Sequence, residues 1–122
     1  MGTWETSIDS GIALIKTSGE IDLGDFRELM RLMAGIEGEL EITRFLIDNS
    51  DSTFTLSTTE IYGLPKDAKQ LGLKRICVFA LVFPFPTLDS NFMEIIAKNT
   101  GFTARVFKTT TEALSWLRSL RS

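Results

Sequence analysis

The sequence predicts an α/β fold with a mixed, mostly parallel sheet of four to five strands and about four helices. Short, β-branched apolar runs alternate with stretches whose apolar residues recur every three or four positions, the patterns of strands and helices respectively. Their order, β-β-α-β-α-β-α-β-α, is typical of parallel strands joined by helices, with one antiparallel hairpin at the start. The chain has 122 residues, the usual size of one domain, so we expect a single domain over 1–122.

The first two strands are predicted by a hairpin pattern. Trp4–Ile8 alternates between apolar and polar residues, Ile12–Lys16 is apolar and β-branched, and Asp9-Ser10-Gly11 between them is a turn signal. Gly19-Glu20 is then expected to turn the chain toward the first helix.

The first helix is predicted over Leu23–Ile36, with Asp22 as its N-cap. An apolar stripe at spacings of three and four indicates the face that packs against the sheet. Its members are Leu23, Phe26, Met30 and Met33. We expect Gly35 and Gly38 to mark the end of this helix.

The third strand, Arg44–Ile47, is expected to stop at a polar loop, Asp48–Ser52, which is rich in turn formers. Ser57-Thr58-Thr59-Glu60 has the spacing of a capping box, so the second helix is predicted to begin there. Pro65 lies inside that helix and predicts either two short pieces or one kinked helix, ending near Gly72.

The apolar run Arg75–Val82 predicts a central strand that is covered on both faces. Pro84 and Pro86 cannot donate to a sheet, so the strand ends before them. Ser90 or Asn91 is expected to cap a third helix that Gly101 closes. The inward face of this helix is predicted to consist of Phe92, Ile95 and Ile96.

The last strand is predicted at Thr103–Phe107. A second capping box, Thr109-Thr110-Thr111-Glu112, opens the fourth helix. Its apolar face is predicted to consist of Ala113, Trp116, Leu117 and Leu120.

Composition excludes several classes of function. A net charge of −3 argues against binding to nucleic acid, which needs a basic patch. The absence of histidine removes Ser-His and Cys-His nucleophile pairs and most zinc sites. We therefore expect a protein that is not an enzyme and that holds no cofactor or metal.

The single cysteine and the apolar runs bear on the compartment. Cys77 makes no internal disulfide and lies in an apolar run, which favours an inert core thiol in a reducing, cytoplasmic setting. The N-terminus has no signal-peptide pattern, and no apolar run approaches the roughly 18 residues of a membrane helix. We expect no membrane insertion.

The element order and several local phrases resemble the STAS family, the domain of anti-sigma-factor antagonists and of sulfate-transporter tails. Gly19-Glu20-Ile21-Asp22-Leu23 is similar to the Gly-Glu-Leu-Asp phrase of the family, and Leu46-Ile47-Asp48 is similar to its third strand. Gly101-Phe102, Arg105-Val106-Phe107 and Glu112-Ala113-Leu114 are similar to its closing strand and helix. The resemblance covers nearly the whole chain and implies a STAS-like fold, nearest to divergent bacterial members of unassigned function.

In phosphoregulated members of that family, an Asp-Ser-Ser-Gly motif opens the second helix, and a serine in it accepts phosphate from a partner kinase. The matching stretch here is Ser57-Thr58-Thr59-Glu60, so the resemblance makes Thr58 the acceptor. Ser57 replaces the aspartate and Glu60 the glycine, and a glutamate near Thr58 repels an incoming phosphate. The resemblance thus implies the fold more strongly than the phosphate switch. The residues alone allow Ser57, Thr58 and Thr59 to be only a helix cap.

A loop with two aromatic residues and two prolines, Phe83-Pro84-Phe85-Pro86, follows the fourth strand. If Phe85 is exposed, it is a candidate anchor for a partner or the lid of an apolar pocket. In the alternative, Phe83 and Phe85 both fold back over the core. Tyr62, one turn into the second helix, is expected to flank the same surface.

Acidic residues offer a further alternative. Asp48 and Asp51 with Glu20 and Asp22 would resemble the magnesium-binding carboxylates of response-regulator receivers, with Lys108 as the required lysine. The fourth strand lacks the hydroxyl that such a receiver needs. The simpler interpretation is that Asp22 caps a helix and Asp48 caps a turn.

Two functions follow as hypotheses. The first is a non-enzymatic regulatory module that presents its Asp48–Tyr62 edge to a protein partner, including a second copy of the chain. The second is a binder of a small apolar ligand, in a pocket between the second helix and the Phe83–Pro86 loop. An enzyme that uses only carboxylates ranks last, because it needs two acidic groups that converge in a cleft.

Overall fold

The computed structural model describes residues 2–120, apart from the side chains of residues 88 and 89. The strands are β1 (Thr3–Asp9), β2 (Ile12–Ile21), β3 (Arg44–Phe54), β4 (Val78–Val82) and β5 (Thr103–Phe107). The helices are α1 (Leu23–Leu40), α2 (Thr58–Gln70), α3 (Leu88–Asn99) and α4 (Thr110–Ser119). The sheet has the order β1-β2-β3-β4-β5, in which β1 is antiparallel to β2 and the other pairs are parallel. The predicted α/β class, element order and mostly parallel sheet are confirmed.

The two faces of the sheet carry separate parts of the core. Alternate residues of each strand point to opposite faces. One face packs against α1, α2 and α3 through side chains that include Ala13, Ile15, Phe45, Ile47 and Leu81. The other face packs against α4 through Ile12, Leu46, Ala80 and Val82. We call these two sides the three-helix face and the α4 face.

The hairpin between β1 and β2 closes as predicted. Asp9 pairs with Ile12, which leaves a two-residue loop at Ser10 and Gly11. Both loop residues are left-handed, with φ of 52° and 80°. Positive φ at both positions matches the right-handed twist of the strands, and glycine adopts it without steric cost.

The predicted breaks at Gly19-Glu20 and at Asp48–Ser52 are wrong, because both segments continue as paired strand. Lys16 lies opposite Asp48, and Ser18 lies opposite Asp51, so two steps along β2 match three along β3. This is a bulge, which absorbs one extra residue and lets pairing resume as far as Ile21 and Phe54. Turn-forming residues stay in the strand because their polar groups find partners there, as described for the site.

Helix α1 is longer than predicted. Asp22 caps it, and the N–H of Asp25 donates to the Asp22 carboxylate over 2.9 Å. Gly35 and Gly38 do not end the helix; both lie on its exposed side, where nothing excludes a continued turn. The helix ends instead at Glu41, whose φ is 57° and whose N–H donates to the carbonyl of Glu37.

Of the two predicted alternatives, the division into two pieces does not occur: helix α2 is continuous through Pro65 and ends at Gln70, near Gly72 as predicted. Proline removes one backbone donor from the helix. Its ring is buried in the three-helix face, together with Ile61, Leu64 and Ala68. Packing of this apolar side outweighs the local helix-breaking tendency.

Strand β4 and helix α3 differ from the prediction at their starts. Arg75 and Ile76 form a turn, and Ile76 is 67% exposed, because pairing begins where the Val78 N–H donates to Thr43. Thr87, rather than Ser90 or Asn91, is the N-cap of α3. Ser90 completes a capping box: its hydroxyl accepts from the Thr87 N–H over 2.8 Å.

The inward face of α3 was also predicted partly wrongly. Ile96 is buried and Phe92 half-buried as expected, but Ile95 is exposed and Met93 takes the inward position. Burial of Met93 and Ile96 in the core, rather than the position of the N-cap, sets which face of the helix points inward. The apolar face of α4 is confirmed: Ala113 and Leu117 are fully buried, with Trp116 and Leu120 at their edges.

Candidate functional site

Three features of the structure bear on function. They are the exposed start of α2, a groove between the ends of β3 and β4, and a cavity beneath α1, α2 and α3. The first two lie at the carboxyl ends of the parallel strands, the edge at which ligands of open α/β sheets bind.

The start of α2 is a capping box, as predicted. The Ser57 hydroxyl accepts from the Glu60 N–H over 3.1 Å, and the Glu60 carboxylate accepts from the Ser57 N–H over 2.9 Å. Thr58 and Thr59 are exposed beside this cap. Ser57 and Glu60 are thus occupied with one another, whereas both threonine hydroxyls face solvent.

Tyr62 extends this exposed surface by one turn. Its side chain is 65% exposed, and its ring meets Phe92 of α3 edge to face, with 5.5 Å between centroids. The contact holds the ring in place while its outer side stays in water. We call Ser57, Thr58, Thr59 and Tyr62 the α2 surface.

Asp48 does not join the α2 surface, contrary to the prediction of a common Asp48–Tyr62 edge. Asp48 lies two residues after Leu46 in β3, so both side chains point to the α4 face. Together with Thr110 they line a groove of about 280 Å³ there. The Asp48 carboxylate accepts from the Ser50 N–H over 3.0 Å. Asp48 thus makes a local bond to the backbone but caps no turn, because β3 continues to Phe54, and its side chain lies on the side of the sheet opposite α2.

The acidic residues do not converge into a cation site. Asp51 forms an ion pair with Lys16, with 3.2 Å between Nζ and Oδ2, and Asp22 is engaged in capping α1. Within residues 2–120, no three acidic, cysteine or histidine side chains lie close enough to hold a metal ion. The receiver-like arrangement of Glu20, Asp22, Asp48 and Asp51 is therefore not formed.

Two pKa values are displaced by their surroundings. The Asp51 carboxylate, through a hydrogen bond and its charge, raises the pKa of Lys16, and Asp48 adds to the effect. Burial raises the pKa of the Cys77 thiol, which is fully buried. A thiol that resists deprotonation is a poor nucleophile, so Cys77 belongs to the core, as predicted.

A buried polar cluster at the bulge was missed by the sequence reasoning. Thr17 and Asn49 are 0% and 2% exposed, and the Thr17 hydroxyl donates to the Asn49 Oδ1 over 2.8 Å. Ser52 Oγ lies 2.8 Å from the same hydroxyl, and the Asn49 amide donates to the Ile47 carbonyl. The only sequence signal was that Thr17 follows Ala13 and Ile15 at alternate positions of β2, and its partners lie more than thirty positions away.

The two aromatic residues of the Phe83–Pro86 loop follow different predicted alternatives: Phe83 folds back over the core, and Phe85 is exposed. Phe83 is half-buried and meets Phe54 edge to face at 5.4 Å, whereas Phe85 is 89% exposed. The loop forms one wall of a groove of about 310 Å³ at the ends of β3 and β4. We call this space the carboxyl-end groove. Asn49, Ser52 and Ser90 are among the polar residues that line it.

A separate apolar cavity of about 90 Å³ lies between the sheet and helices α1, α2 and α3. All the side chains that line it are apolar and buried or half-buried. They include Met30, Met33, Ile61, Pro65 and Met93. No single pocket between α2 and the Phe83–Pro86 loop is found among the described residues. The cavity contacts α2 but not the loop, and the groove contacts the loop but not α2.

Solved structures share this architecture over nearly their whole length. An anti-sigma factor antagonist from Mycobacterium paratuberculosis superposes with a TM-score of 0.66 at 18% identity, covering 98% of this chain and 96% of the other. An uncharacterized protein with a SpoIIAA-like fold from Shewanella loihica gives 0.61 at 17% identity, covering 95% and 93%. The anti-sigma factor antagonist SpoIIAA in its unphosphorylated form gives 0.58 at 15% identity, covering 97% and 100%. The chain therefore has the STAS-like fold that the sequence resemblance implied.

Sequence comparison adds a match to only part of the chain. No family model matches it. A stretch of 73 residues is 32% identical to the pyridoxal 5′-phosphate synthase subunit PDX1.3 of Arabidopsis thaliana, covering 60% of this chain. The match spans 24% of the length of that subunit. A fragment of this size does not carry the activity of the whole subunit.

No helix within residues 2–120 has both the length and the apolar character needed to cross a membrane. Helix α1 reaches 18 residues, but it is amphipathic, with buried Leu29, Met30 and Met33 on one side and charged residues on the other.

Proposed function

We propose that the chain is a single STAS-like domain that acts as a non-enzymatic regulatory module and presents the α2 surface to a protein partner. The observation that carries this proposal is the exposed ring of Tyr62 in the first turns of α2, near the exposed residues Thr58 and Thr59. Large aromatic side chains held rigidly at the surface are typical anchors of protein interfaces. The fold shared with described anti-sigma factor antagonists supports a regulatory role of this kind.

The phosphate switch of such proteins is not intact here. Ser57 and Glu60 stand where the family motif has aspartate and glycine, and the structure engages both in the capping box. The Glu60 carboxylate lies in the same helical turn as Thr58, where it repels an incoming phosphate. We propose that Thr58 contacts the partner as an unmodified hydroxyl. The free, buried Cys77 suits a reducing compartment such as the cytoplasm.

The test compares partner capture and native mass for wild type, Tyr62→Ala and Thr58→Glu. We expect both variants to lose the partner, or the dimer if the partner is a second copy. Two controls are matched to them. Ile76→Ala removes a side chain of similar exposure (67%) at the opposite end of the sheet. Thr110→Glu changes the corresponding first residue of α4, on the other face.

The outcomes separate the two roles of the helix start. Loss in the α2 variants with retention in both controls supports the α2 surface as the interface. Equal capture by wild type and both α2 variants overturns the proposal. If only Thr58→Glu has an effect, the hydroxyl acts as a switch after all, and the aromatic ring is not the anchor.

A second candidate function has its own observation, the apolar cavity beneath α1, α2 and α3. Natural cores contain few voids larger than a water molecule, and an apolar cavity stays dry and accepts small apolar molecules. We propose uptake of a small apolar ligand there. Methyl-labelled methionine provides the test by NMR, because Met30, Met33 and Met93 all line the cavity. Pentane should shift their signals in wild type but not in Ala68→Leu, which fills the cavity from α2.

A further inference from the structure

The apolar cavity and the carboxyl-end groove share a wall. Met93 is 7% exposed and lines both spaces. Beside it, Phe26 of the cavity meets Phe54 of the groove edge to face, with 5.6 Å between ring centroids. A methionine has three rotatable bonds and adapts its shape at low cost, so Met93 makes the wall between the two spaces deformable.

The chemistry changes from one side of this wall to the other. The cavity offers only apolar side chains. The groove offers an amide and several hydroxyls, and none of the side chains that line it is charged. A molecule that spans the wall would thus have an apolar part and a neutral polar part.

The floor of the groove has spare hydrogen-bonding capacity of both kinds. Asn49 accepts from Thr17 and donates once, to the Ile47 carbonyl, but an amide carries two N–H donors. Asn49 Oδ1 can only accept, so the single Thr17 hydroxyl proton goes to it, and the Ser52 hydroxyl, 2.8 Å from Thr17 Oγ1, then donates to Thr17 and keeps acceptor capacity. One donor and one acceptor side by side match a group that both accepts and donates.

We propose that the groove and the cavity form one binding site for a neutral amphiphile, with Met93 as the movable partition. The apolar tail occupies the cavity, and a hydroxyl or primary amide head binds Asn49 and Ser52 in the groove. This inference rests on the second candidate function and adds the class of ligand. A carboxylate head only accepts hydrogen bonds and finds no cationic side chain among the groove residues, so it is disfavoured.

The size of the cavity limits the tail. An engineered cavity of about 150 Å³ in another protein binds benzene. In proportion to the six carbons of benzene, a space of about 90 Å³ holds a tail of roughly four carbons, and the fifth carbon of a pentyl chain would lie at the partition. Pentanol, pentane and pentanoate are matched probes that share one chain and differ only at its end.

The first experiment follows the methionine methyl signals and the Asn49 side-chain amide signal by NMR during titration with each probe. We expect pentanol to shift both sets, pentane to shift only the methionines, and pentanoate to bind about tenfold more weakly than pentanol or not at all. If pentanol and pentane shift only the methionines, the cavity function stands and the shared site is overturned. If no probe shifts the methionines, the cavity function fails and the shared site fails with it.

The second experiment tests the partition with two matched variants. Met93→Ala and Met33→Ala remove the same side chain from the cavity lining, but only Met93 also borders the groove. We expect Met93→Ala to raise the exchange rate of pentanol several-fold, measured from the line shapes of the remaining methionine signals. Met33→Ala should enlarge the cavity and leave the rate near that of wild type. Equal acceleration in both variants overturns the role of Met93.

Discussion

At the scale of single residues, the bulge cluster shows how a polar sequence is kept inside a sheet. Thr17 is fully buried, and its hydroxyl lies within 2.8 Å of both Asn49 Oδ1 and Ser52 Oγ. Every buried side-chain N or O atom among the described residues has a partner. Burial of these groups is therefore tolerated, since the cost of removing them from water is offset by hydrogen bonds.

Thr17→Val should lower the free energy of unfolding by about 1–3 kcal/mol, because it leaves Asn49 Oδ1 buried without its donor. Denaturant unfolding followed by circular dichroism measures the change. Thr6→Val, the same substitution at an exposed position of β1, should stay within about 0.5 kcal/mol of wild type. Equal stability of Thr17→Val and wild type would show that the hydroxyl contributes nothing.

Lys16 provides a prediction on pH. The Asp51 carboxylate raises its pKa above the ordinary value of 10.5, so the folded state holds the proton more tightly than the unfolded state. The stabilisation from this pair is fully present below about pH 10.5 and fades as pH rises through the folded pKa. Both side chains are exposed, so the effect on stability is small.

The Cε resonance of labelled Lys16 measures this shift directly. Asp51→Asn should lower the pKa of Lys16 toward 10.5, and Asp48→Asn should lower it less, because Asp48 acts only through its charge. A larger change in Asp48→Asn than in Asp51→Asn would contradict the ion pair seen in the structure.

At the scale of elements, the end of α1 illustrates what fixes a helix boundary. Gly35 and Gly38 suggested an end, yet the helix continues past Gly35, where Ile36 still packs against the core. It stops at Glu41, a non-glycine residue in a left-handed conformation. That conformation strains a side chain, and glycine adopts it freely.

Glu41→Gly should therefore raise the free energy of unfolding by about 0.5–1 kcal/mol. Glu39→Gly, two residues earlier and inside the helix, should lower it by about 1 kcal/mol. Thermal unfolding of both variants gives the comparison. The two substitutions are chemically identical, so changes of the same sign would refute the assignment of the helix end.

At the scale of the whole molecule, a helix covers part of one outer edge of the sheet. The outer edge of β5 is partly blocked, because the Val106 N–H donates to the Glu94 carboxylate over 2.7 Å. An unpaired strand edge is a template for pairing with another chain, and a covering charge suppresses it. Glu94 of α3 therefore hinders the pairing of another chain with the edge of β5.

Glu94→Ala should expose this edge and increase self-association, seen by sedimentation velocity as added mass at rising concentration. Glu94→Gln keeps an acceptor oxygen for the Val106 N–H and should behave as wild type does. If Glu94→Ala and Glu94→Gln show the same distribution of masses, the bond does not guard the edge.

The fold was largely predictable from the sequence because its signals are local. Apolar periodicity predicted the nine elements in order, the Ser57–Glu60 spacing predicted the start of α2, and Ser10-Gly11 predicted the hairpin turn. Each of these depends on neighbours within a few positions of the chain. The same local rules misplaced the ends of β2, β3, β4 and α1, since those ends depend on what each segment packs against.

The sequence by itself determined the class of fold, the order of elements and the candidate residues of the α2 surface. Only the tertiary structure decided which of those residues lie together. Asp48 points to the α4 face because side chains alternate along a strand. The prediction grouped it with Thr58 because the two residues are close in sequence, and that grouping is wrong. Met93 joins the groove and the cavity because packing of α3 on the sheet sets its direction. Contacts between distant segments depend on the register of strands and the phase of helices, and no local pattern specifies either.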